Sequence, residues 1–235
     1  MPLQHAANKI SIHESFSVGA LLALAGGFLD AYTYLSRGGV FANAQTGNMV
    51  LLGVRLAERD WSGAVRYLIP ILAFAAGVLL AEWIQFVLKH QRIVHWRQVV
   101  LLIEILLLCA IGFVPDGDWN PYVNIAVSFV CALQVEAFRT MHGLSYATTM
   151  CTGNLRSGTE CIFRYFQTKD RSLLSSGMKY YAIILIFILG AVLGVFLTGW
   201  IAERAVWVPG GMLVIAFLLL FQRSPESLES ITDQR

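Results

Sequence analysis

From Tyr180 to Ala202 the chain carries no charged residue. A run of this kind exceeds the roughly 20 residues that a helix needs to cross the hydrocarbon core of a bilayer. In lipid, backbone N–H and C=O groups can bond only to one another, so the run has to be a helix. Gly190 and Gly194, four residues apart, mark the face where a second helix can approach. The same reading applies to residues 15–35, 67–88, 98–114, 122–138 and 205–221, interrupted internally only by Asp30, Glu82, Glu104 and Glu136. Apolar residues make up 57% of the chain and charged ones 14%, against about 25% charged in soluble domains. The expectation is an all-α membrane protein, a single transmembrane domain over residues 1–235.

The chain repeats itself. Gly27-Phe28-Leu29-Asp30-Ala31-Tyr32 precedes Asn43-Ala44-Gln45-Thr46-Gly47-Asn48, and Gln134-Val135-Glu136-Ala137-Phe138 precedes Thr148-Thr149-Met150-Cys151-Thr152-Gly153-Asn154. Thr46 follows Asp30 by sixteen positions, and Thr152 follows Glu136 by the same sixteen. Phe74-Ala75-Ala76-Gly77 and Phe187-Ile188-Leu189-Gly190 extend the match. The halves run from about residue 15 to 114 and from about 120 to 221, divided by the acidic turn at Asp116 and Asp118. Ala23-Leu24-Ala25 has the look of a signal-peptide cleavage site, but cutting there would separate Asp30 from its helix, so the first run is expected to be retained.

Whether the halves are parallel or inverted depends on the Thr-Gly-Asn segments. If both cross the membrane there are eight spans and the halves are parallel. If both are re-entrant or broken there are six, and the halves are inverted. Lys and Arg in short loops favour the cytoplasm, and Arg156, Arg164, Lys169, Arg171 and Lys179 lie in the segment on which the two arrangements disagree. They favour six spans, with both termini inside, an architecture in which discontinuous helices can build a site near the midplane.

A carboxylate within a span costs about 2.5–3.5 kcal/mol on insertion scales and is a functional candidate by default. Asp30 and Glu136 lead as proton or cation sites because the repeat matches them. The structural alternative pairs each with a neighbouring arginine, Asp30 with Arg37 and Glu136 with Arg139. Thr46-Gly47-Asn48 and Thr152-Gly153-Asn154 supply hydroxyl, flexible backbone and carboxamide within one turn, able to expose a helix end to an ion; the alternative is a polar packing notch between helices. Asn43, Gln45, Tyr32 and Arg139 are secondary candidates. Tyr34, Phe41, Phe138 and Tyr146 flank the motifs as cavity walls or interfacial anchors. Glu104 has no counterpart and no assigned task.

Catalysis is not expected. Gly143-Leu144-Ser145-Tyr146-Ala147, with His142 adjacent, faintly resembles a nucleophile turn, but all five histidines fall in tails or connectors. No metal, ATP or dinucleotide motif is present, so no cofactor or metal is expected. Cys109, Cys131, Cys151 and Cys161 lack CxxC spacing and read as small apolar residues. A net charge of +2 gives no reason to expect nucleic acid. The expected partners are the bilayer and a small polar solute or ion, and a homodimer is compatible with the sequence. A small secondary transporter or channel-like carrier, proton- or cation-coupled, is the leading reading; a non-transporting module that binds a protein or lipid is the alternative.

The Gly27–Tyr32 and Phe41–Asn48 motifs, with the later Thr152-Gly153-Asn154, resemble the YoaK family of small bacterial membrane proteins over nearly the full length. The resemblance implies about six membrane helices and a bacterial inner-membrane, multi-pass location. It implies no activity and no catalytic residue, because that family is itself a domain of unknown function.

Overall fold

The structure is a computed structural model that describes residues 15–88, 96–141, 144–145, 148–149 and 151–221. The five histidines, Tyr146 and most of the basic connector at residues 89–95 lie outside them. The helices in chain order are α1 (Phe16–Ser36), α2 (Gln45–Ala57), α3 (Trp61–Leu88), α4 (Trp96–Ile111), α5 (Asn120–Ala137), α6 (Cys151–Thr168), α7 (Arg171–Ile201) and α8 (Trp207–Phe221). Two two-residue strands, β1 (Thr140–Met141) and β2 (Leu144–Ser145), form an antiparallel ladder before α6. Apart from this short ladder the described residues form helices, as expected of an all-α chain.

Phe16–Ser36, Trp61–Leu88 and a stretch through α7 and α8, Arg171–Leu220, are long and apolar enough to cross a membrane. Two helices start earlier than the uncharged runs, because charge does not end a helix. The α3 helix opens at Trp61 and accommodates Pro70. The α7 helix opens at Arg171, where the carboxylate of Asp170 accepts the Ser172 amide at 2.9 Å, an N-cap that satisfies one free donor. That bond holds the Asp170 carboxyl below its ordinary range. At the other end Ala202 has a φ of 49°, and a short 3-10 turn (Ala202–Val206) divides α7 from α8.

The α1 helix lies in the middle of the fold, with Leu22, Ala23, Ala25 and Phe28 fully buried. It packs most extensively on α7, as α3 does on α5, and glycine makes both contacts possible. A Cβ on Gly27 would run into the carbonyl of Phe187, one on Gly190 into that of Leu24, and one on Gly77 would lie 2.5 Å from the carbonyl of Phe129. Backbones approach this closely only where side chains are missing. The outer helices carry the exposed apolar surface, including Leu79, Phe86, Phe196 and Trp200. A continuous apolar exterior of this kind is suited to lipid rather than water.

Long-range bonds give the helix directions. The Asn124 carboxamide donates to the Arg37 carbonyl (2.7 Å) and that of Gln134 to the Leu22 carbonyl (3.2 Å), so α1 and α5 run antiparallel. Gly190 meets Leu24 and Gly194 meets Phe28 and Ala31, so α1 and α7 are parallel. Gly77 meets Phe129 and Ala132, and Glu82 faces Arg139, so α3 and α5 are also parallel. Arg97 Nε donates to the Ala137 carbonyl (2.7 Å), which sets the start of α4 beside the end of α5. Trp207 Nε1 donates to the Cys109 carbonyl (3.1 Å), which sets the start of α8 beside the end of α4.

Candidate functional site: a cavity where two helix starts meet the middle of α1

After α1 the chain reverses through Gly38 and Gly39, whose φ angles of 86° and 76° belong to the region glycine enters without steric cost. The following residues fold back along α1. The amide of Asn43 donates to Asp30 Oδ1 at 2.6 Å, and its carboxamide donates to the Gly26 carbonyl at 3.1 Å. The Asp30 carboxylate is thus the anchor that draws an otherwise polar loop against an apolar helix, and the N–H groups of Ala42 and Ala44 are also turned to it. Asn48, fully buried in the first turn of α2, closes the loop: its Oδ1 accepts the Phe41 amide (3.1 Å) and its Nδ2 donates to the Phe41 carbonyl (2.7 Å) and to Gln45 Oε1 (3.0 Å).

The second motif approaches the same level of α1. The Gln134 carboxamide donates to Thr148 Oγ1 (3.2 Å) as well as to the Leu22 carbonyl, and the Thr149 methyl would lie 2.5 Å from a Cβ on Gly26. The α6 helix begins directly after, so Thr152-Gly153-Asn154 occupies its first turn as Thr46-Gly47-Asn48 occupies that of α2. Both motifs are helix starts rather than breaks within a helix.

Between them lies a cavity of about 680 Å³. It brings together Asp30, Asn43, Gln45 and Thr46 with Thr152 and Gly153. Among the described residues no side chain fills the space beside Gly153. Tyr34 and Phe41, stacked at 4.7 Å with 17° between ring planes, form one wall, and Phe74 of α3 and Phe187 of α7 contribute another. Thr149 and Cys151 also line it. Asn43 Oδ1 and Thr149 Oγ1 are buried there with no hydrogen-bond partner among the described residues.

The remaining candidates lie outside the cavity lining. Gly47 packs against the Phe41 ring, and Asn48 and Asn154 are buried in the first turns of their helices. Glu136, near the end of α5, pairs with Arg139 at 2.9 Å, and the exposed Arg139 guanidinium also comes within 3.8 Å of Glu82. The expected arginine partner therefore holds for Glu136. It does not hold for Asp30. Arg37 turns to the opposite side and is fully buried. Its Nε (2.9 Å) and Nη2 (2.6 Å) donate to Tyr32 Oη, and its other donors reach the Val114 carbonyl (2.9 Å), the Pro115 carbonyl (3.1 Å) and Asn120 Oδ1 (3.1 Å). Tyr32 Oη in turn donates to the Glu203 carbonyl (3.1 Å). Tyr32 is a strut between helix ends and not a wall of the cavity. Glu104 is fully buried on α4, and neither of its oxygens has a partner among the described residues.

Thr149, Phe74 and Phe187 were not singled out as site residues from the sequence. A signal existed: Thr149 precedes Thr152 by the three positions that separate Asn43 from Thr46, and the two phenylalanines head the matched tetrads.

A helical fold with an apolar exterior and helices long and apolar enough to cross a bilayer defines a helical membrane protein. The chain belongs to the family described as "Protein of unknown function (DUF1275)", which matches residues 18–219. It is similar to "UPF0700 transmembrane protein YoaK" of Bacillus subtilis (strain 168), 25% identical over 202 residues that cover 81% of this chain and 87% of the relative. No solved structure matches.

Proposed function

We propose that this protein is a small, non-enzymatic secondary transporter of the bacterial inner membrane, with the cavity as its solute site and Asp30 as the group that couples solute to a proton or cation. The observation that carries this reading is that polar groups from both motifs line one cavity against a buried carboxylate. Flux of a small polar or ionic solute into proteoliposomes should depend on a proton or sodium gradient. Asp30→Asn should remove that dependence, whereas Glu136→Gln, outside the cavity, should retain it. Unchanged coupling in Asp30→Asn would refute the assignment, and no flux of any solute tested would favour a non-transporting module.

The transport reading includes an inverted repeat. In it α1, α3, α4, α5, α7 and α8 cross the membrane, while α2 and α6 enter from opposite sides without crossing. Three features support this. The α2 and α6 helices are the least apolar of the described helices, with Arg55 in α2 and Arg156, Glu160 and Arg164 in α6. The acid-bearing helices α1 and α5 are antiparallel. Each pairs in parallel with the long helix of the other half, α1 with α7 and α5 with α3. Inversion is what allows one site to open to either side by rocking one half against the other. Single cysteines at the exposed Ser62 and Ser175, in a background without the native cysteines, should react with an impermeant maleimide from opposite sides. Reaction of both from the periplasm would require parallel halves and eight spans.

A further inference from the structure

Building on the carrier reading above, we propose that the occupant of the cavity is a small organic ammonium ion, with N–H donors on a compact apolar or aromatic body. Charge gives the first argument. Asp30 is the one charged side chain among the described residues that line the cavity, so a cation meets a counter-charge there and an anion meets none. The positive start of α2 already faces Asp30. The start of α6 also borders the cavity; a helix end amounts to roughly half an elementary charge, so the two starts together balance the carboxylate at most, and no basic side chain among the described lining residues adds positive charge for an anion.

Hydrogen-bonding capacity gives the second. Asn43 Oδ1 and Thr149 Oγ1 lack partners among the described residues although their own residues are only 5% and 6% exposed. Buried polar atoms are nearly always satisfied, and the carboxamide oxygen can only accept. A ligand that brings donors would complete this set once a small shift of the lining exposes the two atoms, which have almost no accessible surface, and a carboxylate or halide would not.

Shape and walls give the third. A volume of about 680 Å³ falls within the roughly 300–1,000 Å³ of pockets for organic ligands. A bare alkali ion would need a tight cage of oxygens to replace its water. Instead the stacked Tyr34 and Phe41, with Phe74 and Phe187, present aromatic groups, and aromatic faces attract organic cations.

The test is calorimetric titration of the full chain, purified in detergent, with three probes of similar size: 2-phenylethylammonium, 2-phenylethanol and 3-phenylpropanoate. The ammonium is expected to bind at least about tenfold more tightly than the alcohol, a difference of roughly 1.4 kcal/mol, and the carboxylate most weakly. Sodium or potassium at the ammonium's concentration should not displace it. Asp30→Asn keeps an acceptor for the Asn43 amide and should lower ammonium affinity to the level of the alcohol. Phe74→Leu should weaken the ammonium about two- to fivefold more than the alcohol. Equal or tighter binding of the carboxylate, displacement by alkali ions, or binding of none of the probes by the wild-type protein would overturn the proposal without recourse to any variant. Selective ammonium binding without flux would overturn the carrier reading alone; coupled flux of another solute without ammonium binding would overturn this inference alone.

Discussion

Replacing Arg37 with alanine is expected to cost roughly 3–5 kcal/mol, the sum of a few buried acceptors left unsatisfied at about 1–3 kcal/mol each. The protein should then be lost on detergent extraction, or its melting temperature should fall steeply. The guanidinium is fully buried and joins three parts of the chain: the end of α1, the α4–α5 connection at Val114, Pro115 and Asn120, and, through Tyr32, the end of α7 at Glu203. Alanine would strand several acceptors at once, each costing about 1–3 kcal/mol when left unsatisfied. A folded membrane domain with a margin of the usual 5–15 kcal/mol would lose a large part of it. Arg37→Lys should recover little, because three donors on one nitrogen cannot reproduce a planar fork that points in several directions. Size-exclusion profiles and thermal midpoints of the two variants give the measure. A lysine variant that melts like the wild type would show that the charge matters and the geometry does not.

Valine at Gly27 or Gly190 should be as damaging for the opposite reason, an excess of atoms. At both positions the new Cβ would overlap a backbone carbonyl of the facing helix, Phe187 for Gly27 and Leu24 for Gly190. Backbone cannot swing aside as a side chain can, so α1 and α7 would have to separate. Overpacking ordinarily costs about 1–3 kcal/mol, and here the upper end is expected because the most extensive helix contact in the fold is wedged open. The cavity would suffer too, since Asp30 and Ala31 of α1 and Phe187, Ala191 and Val195 of α7 all line it. Gly53→Ala and Gly199→Ala make the control. No atom of the described residues lies near a Cβ at either position, and alanine is favoured over glycine within a helix by about 1 kcal/mol. These variants should melt at or above the wild-type temperature. If Gly27→Val matched them, the close approach of the two helices would be disproved.

The sequence by itself determined the six long apolar helices and their order, because an uncharged run in an apolar chain has one way to satisfy its backbone, whereas α2 and α6, which carry charge, were left open. It also marked the first acid: Asp30 stands out in an apolar run at any level of reading, and its burial against Asn43 and the cavity agrees with that prominence. What a motif does once neighbours approach was not legible. Asp30 and Glu136 look equivalent in sequence, yet one lines the cavity and the other is engaged by Arg139, because Arg139 lies three residues from Glu136 and Arg37 is drawn away by distant carbonyls. Thr149, Phe74 and Phe187 join the lining only because the segment before α6 and the separate helices α3 and α7 converge there. Local hydrogen bonding is encoded within a few residues. The direction a side chain faces inside the bundle, and the company it keeps, depends on which glycines let which backbones meet, and that was decided by the tertiary structure alone.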